Sequence, residues 1–252
     1  MKPRYFVKIA YNGSNYHGWQ IQNGQITVQQ IINEHLSILL GEKISCLGCG
    51  RTDAGVHARK YFFHFDTDIP LNSQFFYKLN IFLPKDLRIF AAYTPDPRIH
   101  ARWDAIKRSY EYLISYGKDP FLHGLAYQTN DKFDVELMNK ACSILLEYND
   151  FESFSKSNNN LNHYLCELFE VKWEFRDELL IFRISANRFV RGMVRLIVGT
   201  MLDVGRQKIT LDEFRQIIES KDRTRAGVSV PACGLYLTDV VYPEGVLNLL
   251  EN

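Results

Sequence analysis

Hydrophobic and polar residues alternate along several short segments of the chain, and a period of two predicts β-strands. The first such segment, "RYFVKIAY" at residues 4–11, places Tyr5, Val7, Ile9 and Tyr11 on one face. A further strand is expected from about residue 43 into a glycine-rich stretch. The other predicted strands are "KYFFHFD", "LRIFAAY", "RSYEYLISY", "CELFEVKWEF", "LLIFRISA" and "GLYLTDVVY".

A second pattern, with apolar residues three and four positions apart, predicts α-helices. It is clear at residues 27–40, where Thr27 is the expected N-cap, and in "DVELMNKACSILLEY", where Asp134 takes that place. "SQFFYKLNIFL" and residues 188–204 are further predicted helices. Thr210 with Glu213 forms the signature of a capping box at the start of a short helix.

The order of these elements repeats as β-α-β-β-α-β, once before and once after the proline-containing segment "TPDPRIHARWD". This order is typical of the ferredoxin-like and RNA-recognition folds. We therefore predict an α+β protein with two such halves, mainly antiparallel sheets and a catalytic cleft between the halves. The predicted domains are residues 1–104 and residues 105–252.

The composition narrows the class of protein. Hydrophobic residues make up 46% and charged residues 23% of the 252 residues, as in ordinary globular proteins. No apolar run has membrane-spanning length, and the N-terminal residues lack a signal-peptide pattern, so we expect a cytoplasmic protein without membrane contact. The five scattered cysteines do not form a disulfide or zinc pattern, and the spacing of Cys46 and Cys49 is interpreted as chance. We predict no metal.

The stretch "GCGRTDAGVHARK" at residues 48–60 holds one carboxylate, Asp53, two residues after Arg51. An aspartate in such a loop often only caps a turn. Three features favour chemistry instead: glycines permit close approach of a substrate backbone, Arg51 lowers the pKa of a neighbouring acid, and no serine or cysteine nucleophile with a histidine lies nearby. His57 is a candidate partner of the acid, although a lone histidine in a loop is more often structural or solvated, and we expect no bulky core residues in this stretch.

The chain as a whole carries a formal net charge of only +1, but residues 183–208 hold five arginines and one lysine against one aspartate. If residues 188–204 are helical, Arg188, Arg191 and Arg195 share one face with Gly192 and Gly199. A solvated arginine face is the ordinary meaning of such a stripe. The glycines favour close packing against another group, so the arginines are candidates for binding phosphate or pairing with an acid.

The strand segment "KRSYEYLI" places Tyr110, Tyr112, Ile114 and Tyr116 on one face. Most of these side chains are expected in the core. A tyrosine at the edge of a cleft is also suited to stacking on a nucleic-acid base.

Five segments, in this order, resemble the tRNA pseudouridine synthase A family over nearly the whole chain. They are "YNGSNYHGWQ" (11–20), "GRTDAGVHA" (50–58), "ARWDAIKRSYEY" (101–112), "FVRGMVRLIVGTM" (189–201) and "AGVSVPACGLYL" (226–237). Two positions depart from the family pattern: Asn12 stands where the family has aspartate, and Cys49 where alanine or serine is expected.

The resemblance implies an isomerase that converts uridine to pseudouridine at positions 38, 39 and 40 of tRNA, in the anticodon arm, as a homodimer and without cofactor or metal. It implies that Asp53 is the catalytic nucleophile, Tyr110 the active-site tyrosine, Arg195 the arginine that pairs with the acid, and Leu235 the apolar residue against the uracil. Arg51 is then assigned to flipping the base or holding the vacated stack. The remaining substrate-binding candidates are Arg188 and Arg191.

Two alternatives remain open from the sequence. The first is a pseudouridine synthase that acts on another RNA, since the chemistry specifies uridine and not its context. The second is a non-catalytic RNA-binding module, which would use the same fold and basic segment without requiring Asp53. The chemical route is also open: Asp53 attacks C1′ or C6, or removes the 2′-proton to give a glycal.

Overall fold

The computed structural model describes residues 2–156 and 163–250. Most of the polar segment "KSNNNLN" at residues 156–162, which the sequence predicts as a loop, lies outside the described residues. The chain divides into two compact units: Met1–Lys107 together with Tyr236–Asn252 form the first, and Arg108–Leu235 form the second. The domain limits 1–104 and 105–252 stay predictions of the sequence.

The first unit contains a sheet flanked by two helices. Its central strands are β1 and β3, with β4 beside β1, and β2 beside β3. This is the arrangement of a split βαβ motif, in which each helix connects a central strand to an outer one. The elements in chain order are β1 (Arg4–Tyr11), α1 (Val28–Leu40), β2 (Leu47–Gly48), β3 (His57–Asp66), α2 (Ser73–Phe82) and β4 (Leu87–Tyr93).

The second unit contains a sheet in the order β6-β5-β8-β7 and, among its described residues, three α-helices. Strands β5, β8 and β7 pair antiparallel, and β6 pairs parallel with β5. The elements are β5 (Lys107–Tyr116), β6 (Tyr127–Thr129), α3 (Val135–Leu145), β7 (Leu168–Arg176), β8 (Leu179–Ala186), α4 (Met193–Gly205) and α5 (Leu211–Glu219). The last strand, β9 (Leu235–Val241), pairs parallel with β3 over two residues and is grouped with the first unit from Tyr236 onward.

The predicted local signals are confirmed at the helix ends. Thr27 accepts a hydrogen bond from the backbone N–H of Gln30, and α1 ends at Gly41 in the left-handed region at φ +68°. Asp134 caps α3, and Thr210 forms the capping box of α5 with Glu213. The α+β class with mainly antiparallel strands is likewise confirmed, with five α-helices among the described residues.

The core of the first unit extends over both faces of β1. The predicted face is buried, and Tyr5 packs its ring on Phe65 at 5.8 Å between centroids. Phe6, on the opposite face, is also fully buried, because His64 and Tyr242 pack against its ring. The alternation in the sequence predicts that one face of β1 is buried. It does not predict that residues distant in sequence also bury the opposite face.

Candidate active site

The candidate carboxylate lies in a tight turn just before β3. The N–H of Val56 donates to the carbonyl of Asp53 at 3.2 Å, and Gly55 between them has φ +78°. A positive φ at the third position is what a type II turn requires, so the sequence "DAGV" specifies this turn locally. Asp53 is half-buried, while Arg51 is exposed at the start of the same loop.

The segment at residues 11–19 holds this loop from one side. Trp19 N–H donates to the carbonyl of Thr52 at 3.3 Å, Gly55 N–H donates to the carbonyl of Tyr16 at 3.1 Å, and the hydroxyls of Tyr11 and Thr52 are 2.9 Å apart. These bonds satisfy backbone groups of the loop on both sides of Asp53. The acid therefore lies on a fixed scaffold within the first unit.

Two glycines of that segment allow it to approach the loop closely. A Cβ on Gly13 would collide with the carbonyl of Val56, and one on Gly18 would collide with the carbonyl of Thr52. Gly18 also has φ +82°, a conformation that other residues rarely adopt. The structural role of this segment is not among the predictions from the sequence, where it enters only through the resemblance. The two glycines are the signal that points to it.

The expectation that residues 48–60 hold no core is wrong. Cys49, Thr52 and Val56 are buried. At Gly48 a side chain would overlap the rings of Trp19 and Tyr61, which stack at 4.3 Å between centroids. Much of the space left by small residues in this stretch is therefore filled by other side chains of the protein.

Gly50 differs from the other glycines of the loop. A Cβ at this position would meet nothing within 4 Å, and its carbonyl accepts a hydrogen bond from the Tyr61 hydroxyl at 2.5 Å. Gly50 therefore marks the part of the loop that is open on the side where a side chain would project.

His57 has a structural role within this scaffold. Its Nδ1 accepts a hydrogen bond from the N–H of Gly13 at 3.0 Å, and its buried ring stacks on Tyr236 at 4.5 Å between centroids. An acceptor Nδ1 places the proton of the neutral ring on Nε2.

The cysteine pair before the loop is also buried. Cys46 and Cys49 are both free thiols, and burial raises the pKa of the Cys46 thiol well above its ordinary value. A raised pKa disfavours the reactive thiolate. Among the described residues, no group of three or more His, Cys, Asp or Glu side chains is arranged to hold a metal ion.

The prediction of one helix over residues 188–204 is wrong at its start. Helix α4 begins at Met193, and Gly192 before it lies in the left-handed region at φ +78°. This conformation interrupts the helix, so Arg188 and Arg191 lie in the preceding loop and do not share a helical face with Arg195.

The three arginines therefore have different surroundings. Arg188 is half-buried, and its Nη1 donates to Nε2 of His163 at 3.3 Å. Arg191 is exposed, and its carbonyl accepts a hydrogen bond from the N–H of Lys156 at 3.1 Å. Arg195, inside α4, donates from Nε to the carbonyl of Val230 at 2.7 Å.

Helix α4 packs closely on the segment that precedes β9. A Cβ on Gly199 would collide with the carbonyl of Val228, which confirms the prediction of close packing at this glycine. Val230 N–H in turn donates to the carbonyl of Arg195 at 3.3 Å. Since the Arg195 guanidinium is held through Nε, its plane is oriented by the backbone of residues 228–230.

Tyr110 and Leu235 complete the set of predicted site residues. Tyr110 is half-buried in β5, opposite Ile184, and its ring contacts Phe189 edge to face at 5.1 Å between centroids. Leu235 is buried at the start of β9 and follows Gly234, where a side chain would press on Tyr112.

Tyr112 is fully buried, and its hydroxyl donates to the carbonyl of Pro231 at 2.9 Å. Burial raises the pKa of Tyr112, and the positive charge of Arg195 acts in the opposite direction. Arg195 and Tyr112 of the second unit thus both contact residues 230–234, the short segment that leads to Leu235.

Comparison with known proteins identifies the family. The family model described as tRNA pseudouridine synthase matches residues 141–243. A protein of Parabacteroides distasonis named tRNA pseudouridine synthase A is 46% identical over 243 residues, which cover 96% of each chain.

Two further relatives carry the same name. The protein of Azobacteroides pseudotrichonymphae is 46% identical over 246 residues, covering 97% of this chain and 99% of its own. That of Acetivibrio thermocellus is 41% identical over 238 residues, covering 93% and 97%. With this identity over nearly its whole length, the chain belongs to the tRNA pseudouridine synthase A family of isomerases.

Proposed function

We propose that this protein isomerises uridine to pseudouridine at positions 38, 39 and 40 in the anticodon arm of tRNAs, as a cytoplasmic homodimer and without a cofactor. The observation that carries the proposal is the turn at Asp53. It presents a half-buried carboxylate on a loop whose backbone is bonded on both sides, within a nine-residue segment that resembles the family signature. A fixed acid of this kind is suited to nucleophilic chemistry.

The reaction breaks the N1–C1′ bond of uridine and forms a C5–C1′ bond, while the proton from C5 is lost and one is gained at N1. A uridine in a stem first leaves its stack, which costs a few kcal/mol. Asp53 then acts on the glycoside, by attack at C1′ or C6 or by removing the 2′-proton. Tyr110 and Leu235 contact the flipped base, and Tyr110 accepts the C5 proton.

Each arginine has a separate proposed role. Arg195 pairs with the Asp53 carboxylate, because an opposite charge close by favours the ionised form of an acid. Arg51 flips the base or holds the vacated stack, which its exposed position allows. Arg188 and Arg191 bind phosphates of the tRNA.

The decisive experiment incubates the purified protein with unmodified tRNA transcripts and maps pseudouridine by position. We expect modification at positions 38, 39 and 40 wherever these are uridine. Pseudouridine elsewhere, or only in other RNAs, would support a synthase with a different substrate. Binding of tRNA without any pseudouridine would support the RNA-binding module and contradict catalysis.

A further inference from the structure

Strand β3 carries two neighbouring cationic residues, Arg59 and Lys60, on opposite faces of the sheet, and their partners differ. Lys60 forms an ion pair with Asp239 at 2.5 Å. Arg59 is exposed and makes no ion pair with any described residue; its guanidinium lies over the ring of Tyr236, 5.1 Å from the centroid. The charge of Lys60 is neutralised within the protein, whereas the five N–H donors of Arg59 are available to an anion.

The ring beneath Arg59 is itself held in place. Tyr236 is buried and stacks on His57, which faces it across the β3–β9 pair. His57 accepts the hydrogen bond from Gly13, whose lack of a side chain lets residues 11–19 approach the loop. A continuous set of contacts therefore links Arg59 to the scaffold that holds Asp53.

The position of Arg59 along the strand places it close to that loop. The turn at residues 53–56 leads directly into β3 at His57. A strand advances about 3.3 Å per residue, so the backbone of Arg59 lies roughly 7 Å along the strand from that of His57. Arg59 is therefore a candidate to contact an RNA strand that brings its target nucleotide to Asp53.

We propose that Arg59 binds a backbone phosphate of the tRNA beside the target nucleotide, and that Tyr236 and His57 are positioning residues for it. This inference rests on the proposed function. Stacking on an aromatic ring restricts the arginine before the RNA arrives, so less conformational freedom is lost on binding. The guanidinium edge still presents its donors to a phosphate.

The chain offers a matched control for this arginine. Arg88 lies over the ring of Phe90 at 4.7 Å from the centroid, is exposed, and makes no ion pair with the rest of the described chain. It lies in the same unit, on β4, and has no contact with the loop that holds Asp53 among those described. Both arginines carry the same charge and lie over an aromatic ring, but the ring under Arg88 is exposed and that arginine has no described contact with the loop.

The test measures tRNA affinity and turnover as a function of salt concentration for the wild type, Arg59→Ala and Arg88→Ala. For Arg59→Ala we expect the KM and Kd for tRNA to rise about 5-fold near 0.15 M salt with kcat close to wild type. The slope of log K against log[salt] should fall by about 0.9, the value for one phosphate contact. Arg88→Ala should stay within about 2-fold and keep the wild-type slope.

A second pair of variants tests the positioning role. Tyr236→Leu should reproduce the reduced salt slope of Arg59→Ala, and denaturant unfolding checks that this variant is folded. Tyr236→Phe, which keeps the ring, should have the wild-type slope. If Arg59→Ala and Arg88→Ala give the same slope and affinity in an enzyme that forms pseudouridine, the inference is wrong and the proposed function stands. If the wild type forms no pseudouridine in any transcript, the proposed function is wrong, and the slopes for tRNA binding still decide the role of Arg59.

Discussion

The loop at residues 50–58 and the basic segment at residues 188–204 each contribute predicted site residues, and their structures differ in kind. In the loop, backbone hydrogen bonds from residues 16 and 19 hold both sides of Asp53. In the basic segment, three arginines close together in the sequence have three different environments, and the Arg195 guanidinium donates to the backbone of a neighbouring segment. The candidate acid thus lies in a loop fixed by backbone hydrogen bonds, while Arg188 and Arg191 lie in the loop before α4.

In both regions the glycines act through close approach of neighbouring segments more than through flexibility. Gly18 and Gly199 each make room for a carbonyl oxygen of another segment, and Gly192 provides a left-handed residue just before the observed start of α4. We therefore expect substitutions at positions held by backbone contacts to have larger effects than substitutions at exposed positions.

The largest effect is expected at Asp53. Asp53→Asn preserves the shape of the side chain and removes the proposed nucleophile, so pseudouridine formation should fall at least about 1,000-fold while tRNA affinity stays within a few-fold. Asp68→Asn is the matched control, because Asp68 is an exposed partner of Lys2 in the same unit. Turnover near the wild-type rate in Asp53→Asn would contradict the proposed role.

The next effect is expected at Arg195. Arg195→Ala should lower turnover about 100-fold, as expected when a single charged hydrogen-bond donor is removed from a preorganised site. Arg195→Lys should recover little, because a lysine cannot keep the Nε bond to Val230 and present further donors in one plane. Arg191→Ala serves as the comparison within the same segment and should keep its kcat. Equal losses in the two alanine variants would remove the distinction between them.

A third prediction concerns the scaffold of the loop. Gly18→Ala introduces both a left-handed alanine and a collision with the carbonyl of Thr52, so the free energy of unfolding should fall by about 3 kcal/mol. Gly24 also has a positive φ, at +72°, but a Cβ there meets nothing within 4 Å. Gly24→Ala should therefore cost only about 1 kcal/mol. Denaturant unfolding of both variants measures the difference, and equal losses would show that the close contact is unimportant.

A fourth prediction tests whether RNA approaches the open part of the loop. Gly50→Ala should leave the free energy of unfolding within about 0.5 kcal/mol of wild type, since a Cβ there meets no atom of the described residues within 4 Å apart from its chain neighbours. If the RNA backbone comes close to this position, the KM for tRNA should rise severalfold. Gly48→Ala, which presses on Trp19 and Tyr61, should instead destabilise the fold. An unchanged KM in Gly50→Ala would exclude close approach of RNA at that glycine.

The smallest effects are expected at the two arginines before α4. Arg188→Ala and Arg191→Ala should each weaken tRNA binding a few-fold and reduce the salt slope by about 0.9, with turnover at saturating tRNA unchanged. Filter binding at several salt concentrations measures both. A loss of kcat at either position would show that this arginine contributes to the chemical step and not only to phosphate binding.

Local features of the fold could be predicted from the sequence because they depend on residues only a few positions apart. The caps at Thr27 and Asp134, the capping box at Thr210 and the β7–β8 hairpin involve neighbours along the chain. The turn that presents Asp53 is of the same kind, since glycine two residues later permits the required positive φ. The position of the candidate acid in a tight turn could therefore be predicted from the sequence.

Features that depend on contacts between distant residues were decided only by the tertiary structure. Periodicity does not distinguish a helical glycine from one at positive φ, so the start of α4 and the separation of Arg188 from Arg195 were not predictable. The burial of residues in the loop depends on Trp19 and Tyr61, and the role of His57 on Gly13, 44 positions away. Neighbouring residues thus predict most of the elements and the candidate acid, whereas the start of α4, the strand β6 and the contacts of each surrounding side chain depend on packing between remote segments.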